Sequence, residues 1–257
     1  DGIVFPGQPG RAHLHAYFGN VGSNASSTAL SLRTTGNSTC LGGILNRSSY
    51  WVPTMVQNDT GKIIAPDNIV VYYKTGYSQL RASDIQAIPE GLRMIGGDAS
   101  DSTPAPIYPW ESPPDVFECE STGVKSETIP ACPANSKMLM MVHFPQCWDG
   151  VNLDSPDHKS HLSFRVGDAG GTCPASHPVP IPEITFNVRW DTGAAGAAGW
   201  RLSSDNYPYN GSNAGYSVHG DWFNGWNKAT SDAWHQGCIR GLKDCKAHLL
   251  GNGQMLY

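Results

Sequence analysis

The chain has 257 residues, charged side chains make up only 15% of it, and its formal net charge is −5. This is long enough for one large core, and the absence of any Lys/Arg cluster argues against nucleic acid or an anionic membrane as partner. No apolar run reaches the length of a membrane span, and 29 Gly with 19 Pro favour a loop-rich β domain over a helical bundle.

Residues 1–10 (DGIVFPGQPG) are turn-rich, and the chain reads as a mature or trimmed secreted form. Residues 12–18 read as a strand. Residues two apart in a strand share a face, so His13 and His15 are expected to point the same way. Residues 19–43 read as an exposed polar loop with a short helix near 28–33. Residues 50–53 and 68–74 read as strands, and 82–88 as one or two helical turns capped by Ser83. Residues 92–95 read as another strand, and 98–114 as loop.

Residues 141–165 (MVHFPQCWDGVNLDSPDHKSHLSFR) concentrate titratable groups beside an aromatic ring. They lie between a strand-like run at 138–144 and a second at 161–166. A loop held between core strands keeps polar groups in fixed geometry, which is where binding and catalytic residues are often found. Residues 167–182 read as loop and 184–190 as a half-buried strand. The last motif, SVHGDWFNGW at 217–226, places His219 and Asp221 two apart among Trp222, Phe223 and Trp226. Ser231 is expected to cap a helix that runs past Cys238 to near Gly241.

Seven Cys and the sequons at Asn24, Asn37, Asn46, Asn58 and Asn210 point outside the cell. Proximity suggests Cys238 with Cys245, Cys119 with Cys132, and Cys147 with Cys173, leaving Cys40 over, although spacing alone does not fix connectivity. With no internal repeat or composition break, residues 1–257 are expected to form one mainly β domain, a two-sheet sandwich or jelly-roll-like fold with long loops and a few short helices.

Taken together and in order, His13-Leu14-His15 after PGQPG, HFPQCWDG, SPDHKSHLSF, CPASHPVPIPEITFNVRW and HGDWFNGW resemble the family catalogued as domain of unknown function nineteen ninety-six. The resemblance runs from about Ile3 to Cys245. It implies a secreted protein of fungal or actinobacterial type, in a family where some members carry sugar-binding modules. It carries no catalytic residues over. Many members have an upstream Cys-containing segment, which implies a lost partner for Cys40.

Four chemistries use the same residues. A glycoside hydrolase needs two carboxyl groups, and Asp149, Asp154, Asp157, Asp221 and, less centrally, Glu183 are candidates. A polysaccharide lyase needs a base beside a group that neutralises a uronate, such as His158 with Arg165 or Tyr216 with His219. A metalloenzyme would draw on His13, His15, His143, His158, His161 and His219 with Asp157 or Asp221, but no linear metal signature is present. A non-catalytic glycan-binding module would use Trp148, Trp200, Trp222, Trp226 and Trp234 as a platform. Each single residue also has a structural reading: Asp149-Gly150 and Ser155-Pro156-Asp157 are turn signals, and Trp is common in β cores.

The expectation is a secreted, monomeric glycoside hydrolase acting on cell-wall or extracellular polysaccharide. Its catalytic residues are expected to be Asp149, Asp157, His158, His161, His219 and Asp221. Substrate is expected to contact His13, His15, Trp148, Trp222 and Trp226. No metal and no cofactor are assigned. The three segments are expected to converge on one cleft.

Overall fold

The computed structural model describes residues 1–76, 79–103, 115–166 and 171–257, so parts of the two loops expected at 98–114 and 167–182 lie outside the described residues. The strands in chain order are β1 His15–Gly19, β2 Ser49–Pro53, β3 Met55–Gln57, β4 Ile63–Ile64, β5 Asn68–Lys74, β6 Arg93–Gly97, β7 Asp115–Cys119 and β8 Val124–Ser126. They continue with β9 Lys137–His143, β10 Cys147–Trp148, β11 Leu162–Ser163, β12 Val179–Pro180, β13 Glu183–Asp191, β14 Trp200–Leu202 and β15 His219–Phe223. The chain is mainly β.

Two antiparallel sheets form a sandwich. One runs β1-β2-β15-β6 and the other β5-β13-β9-β7-β8. Strand alternation builds the core between them. In β13, Ile184, Phe186, Val188 and Trp190 are fully buried and meet Tyr50, Met94 and Trp222 of the facing sheet. Gly96 and Gly220 let the sheets approach closely here. A Cβ on Gly96 would lie 2.6 Å from the His143 carbonyl oxygen, and one on Gly220 would lie 3.1 Å from the Phe186 ring. Two small sheets, β11-β10-β12 and β14-β3-β4, brace the edges.

The outer face of the β1-β2-β15-β6 sheet carries a second, smaller core. Ile3, Leu32, Trp51, Ile95 and Phe223 pack there, with Leu32 supplied by helix α1 (Ala29–Thr34). Thr28 and Ser31 cap that helix reciprocally, as the polar 19–43 segment allows. The outer face is therefore a sheltered surface rather than open solvent, and the site described below lies on it.

Several local expectations change. The helical turn near residue 82 is a 3-10 turn, Ala82–Asp84, preceded by Arg81 without a side-chain cap. Helix α2 spans Lys228–Trp234 and is capped by Asn227 rather than Ser231, because Asn227 Oδ1 accepts from the Thr230 backbone N–H. The helix continues as a π-helical segment, His235–Arg240, to Gly241. The strand expected at 161–166 shrinks to two residues, since Asp154, Ser155 and Asp157 fold the preceding chain into turns.

Three disulfides join Cys119 to Cys132, Cys147 to Cys173 and Cys238 to Cys245, and Cys40 is free. They mark an oxidising compartment. Asn24, Asn37, Asn58 and Asn210 are exposed, whereas Asn46 is buried and its amide donates to the Tyr50 hydroxyl, which removes it as a glycan acceptor. The Cys147–Cys173 bridge spans a sequence separation of 26. Replacing both cysteines by serine is expected to lower stability by about 3.5 kcal/mol, from the loop entropy returned to the unfolded chain. Chemical denaturation followed by tryptophan fluorescence would show it as a lower midpoint, and an unchanged midpoint would contradict the account.

A candidate metal centre on the outer sheet face

Strand β15 alternates faces. Gly220 and Trp222 point into the main core, while His219, Asp221 and Phe223 point to the outer face. Strand β1 sends His15 and Tyr17 to the same outer face, with His13 just before it. Strand β2 lies between them, so residues more than 200 apart in sequence meet across one intervening strand.

His219 Nε2 lies 3.2 Å from His13 Nε2 and 3.4 Å from His15 Nε2. The ligand atoms of the three histidines all fall within 4.8 Å of one another. His219 is buried, and the other two are half-buried. Its Nδ1–H donates to the Ser217 carbonyl at 2.8 Å, which leaves the neutral ring with its lone pair on Nε2, facing the other two rings. The acceptor carbonyl is itself held, because Ser204 Oγ donates to it and the Ser217 hydroxyl is tied to the buried Asp205.

Burial holds all three imidazoles neutral. His219 is pushed down to about 4, by burial first and by His13 among the lesser causes. His15 is pushed down to about 2 by burial and then by His13 and His219, and burial lowers His13. Three neutral imidazoles with convergent nitrogens are what a metal cation requires.

Asp221 lies beside His219. It is 1% exposed, and its Oδ2 is buried without a hydrogen-bond partner. That oxygen lies 3.8 Å from His219 Nε2. Burial pushes the Asp221 carboxyl up to about 8, offset in part by the positive charge of Lys159. An orphaned buried carboxyl oxygen is costly, and a cation beside it would supply the missing partner.

The 149–161 segment meets this site through Lys159. Its amine reaches the Gly97 carbonyl at 3.0 Å and Asp98 Oδ2 at 2.6 Å, and Gly97 pairs with His219 in the sheet. The other candidates in the segment are engaged locally. Asp149 accepts from the Val151 and Asn152 backbone N–H groups, and Asp157 from Ser155, Lys159 and Ser160. These donors hold both carboxyls below the usual range despite an opposing desolvation that is largest for Asp149. His161 is buried between Ser155 Oγ and the Arg93 carbonyl. His158 donates from Nδ1 to Asp154, which also takes Arg93. Arg165 joins Glu183 rather than His158.

The tryptophans expected to contact substrate are placed differently. Trp222 is fully buried in the main core and Trp226 is 7% exposed, its indole N–H donating to Tyr73. Neither offers a ring face to a ligand, because alternation turns Trp222 away from Asp221. Trp148 is half-buried and donates to the Asn152 carbonyl. Sequence reading missed the Ser217 carbonyl with its Asp205 support, and also Tyr17. No local motif marks the first pair, whereas Tyr17 was accessible through its i, i+2 relation to His15.

Fold and site together define a disulfide-bonded β-sandwich with a three-histidine cluster on its outer face and a buried carboxyl, Asp221, next to one of the three rings. The chain belongs to the family described as Domain of unknown function (DUF1996), whose model matches residues 1–226. No curated protein and no solved structure matches the chain.

Proposed function

We propose that this protein is a secreted, metal-dependent hydrolase of extracellular polysaccharide, with His13, His15, His219 and Asp221 holding a divalent first-row metal ion. One observation carries the reading: the imidazole nitrogens converge around His219 Nε2 at 3.2 and 3.4 Å. Tetrahedral zinc with Zn–N bonds of about 2.0–2.1 Å would separate its ligand atoms by about 3.3 Å. Three nitrogens and a hard carboxylate oxygen suit zinc and its first-row neighbours better than calcium or magnesium. Such an ion lowers the pKa of a bound water to about 7 and polarises the bond under attack. The half-buried edges of His13 and His15 leave a side for water and substrate.

The two-carboxylate mechanism has less support. It needs one carboxyl held protonated and one ionised, both facing the scissile bond. Asp149 and Asp157 are both held ionised by turn donors, and Asp221, whose pKa is raised, is buried beside imidazoles. Secretion is supported by the three disulfides and the four exposed sequons.

Metal titration tests the reading directly. Zinc binding at pH 6.5 is expected to release about one proton, from Asp221, because the histidines are already neutral. The release should disappear above about pH 8. Calorimetry in buffers of differing ionisation enthalpy measures this count. No zinc bound, or three protons released, would sink the metal centre. Depolymerisation of wall polysaccharides that stops with chelator and returns with zinc would extend the result to activity.

A further inference from the structure

Tyr17 is the exposed aromatic beside this cluster. Its ring stacks on Trp51 at 5.1 Å with planes 22° apart. Trp51 is 1% exposed while Tyr17 is 42% exposed, so one Tyr17 face is fixed against a buried indole and the side away from it faces solvent. The sheet register orders Tyr17, Trp51 and Asp221 along one row of the outer face. The Tyr17 ring lies 6.1 Å from that of His15. Strand β1 is the sheet edge, so the platform opens sideways rather than into a closed cavity.

A rigid, electron-rich ring face of this kind takes a flat apolar surface, and its neighbours select what surrounds that surface. The Asp221 carboxyl lies within electrostatic reach of the Tyr17 hydroxyl. Two cations reach Asp221 electrostatically, the Asp1 ammonium and Lys159, and the latter is already bound by Asp98 and the Gly97 carbonyl. An anionic sugar would bring a second carboxyl beside that of Asp221. A neutral pyranose presents axial C–H groups to the ring and hydroxyls to the imidazole edge.

Building on the metal-centre reading, we infer that Tyr17 on Trp51 is a glycan subsite that seats a neutral pyranose ring and lays the adjoining linkage over His13, His15 and His219. The spacing between the Tyr17 and His15 rings is close to the length of one sugar unit, which places reaction one unit from the stacked ring. Tyr17 is a positioning residue for substrate and takes no part in holding the metal.

The test uses the intact protein, zinc-loaded and chelated, titrated with neutral gluco-, manno- and xylo-hexaose, with hexagalacturonate as the charged control. At least one neutral oligosaccharide is expected to bind. Tyr17→Ala should weaken it about tenfold or more, while Tyr17→Phe should bind like the parent. Zinc stoichiometry should be the same in all three. Hydroxyl-radical footprinting of the unaltered protein should show Tyr17 protected by the same oligosaccharide, which keeps the test valid if Tyr17→Ala folds poorly. Binding unchanged in Tyr17→Ala, no protection of Tyr17, preference for the uronate, or no binding of any neutral sugar would overturn the subsite. Loss of the metal reading would appear separately, as absent zinc with glycan binding at Tyr17 intact.

Discussion

Replacing His219 with glutamine is expected to lower zinc affinity by at least about 100-fold, since even an outer hydrogen-bond partner of a metal ligand is worth 10- to 100-fold. His219 is the hub of the cluster, because its Nε2 is the atom that both His13 and His15 approach. Its Nδ1 is fixed by the Ser217 carbonyl, so the variant also loses the device that sets the tautomer. His13→Ala and His15→Ala should each lose the metal too, with less effect on stability, because those rings are only half-buried. His161→Gln is the control. His161 is as buried as His219, yet it is hydrogen-bonded to Ser155 and the Arg93 carbonyl, so its loss should loosen the 149–161 loop and leave zinc bound. Zinc content after dialysis, with circular dichroism to check the fold, separates the cases. Equal zinc loss in the His161 and His219 variants would mean that the metal follows general destabilisation, and the centre would be misplaced.

The elements of this fold were legible where alternation is strong. The run at 68–74 forms β5 with those bounds because residues 69–73 are an unbroken β-branched and aromatic run, and the run at 184–190 forms most of β13 because inward residues there are large and apolar and outward ones polar. The three disulfides are the pairs that proximity suggested without fixing, and His13 and His15 share a face as the two-residue period demands. The site was legible only in pieces. Joining His219 to His13 and His15 requires knowing that β2 alone separates β1 from β15, a long-range pairing that no local pattern encodes.

Two placements follow from local patterns. In His219-Gly220-Asp221-Trp222, the same period that joins His219 to Asp221 sends Trp222 to the opposite face, so a tryptophan adjacent in sequence to an acid is not adjacent in space. Asp149 and Asp157 sit in turn signals, and the structure uses both carboxylates to accept the backbone N–H groups of those turns. The density of titratable groups at 149–161 therefore reflects a loop that holds itself together. Its contact with the histidine cluster is made through Lys159, a residue that no local pattern singles out.

Asp221→Asn is expected to change sign with metal. In the metal-free protein the Asp221 carboxyl titrates at about 8 when folded, against an unfolded value of about 3.9. A raised carboxyl binds its proton more tightly in the folded state. Its stabilising contribution is therefore complete below about pH 4 and is lost as pH rises toward 8. At about 1.4 kcal/mol per unit, the loss has an upper limit of about 6 kcal/mol. The asparagine variant has no charge to bury and escapes it. Without metal, the variant should resemble the parent near pH 4 and be the more stable of the two at pH 8. With zinc the order should reverse. The ionised Asp221 then faces a cation, its orphaned oxygen gains a partner, and the metal stabilises the parent by mass action while the variant binds it more weakly. Denaturation midpoints at pH 4 and 8, with chelator and with excess zinc, give the four values needed. A variant less stable than the parent at pH 8 without metal would show that Asp221 has a hydrogen-bonding partner in the folded protein. A variant stabilised equally by zinc would leave the cation to the three histidines and make Asp221 a neighbouring proton holder rather than a ligand.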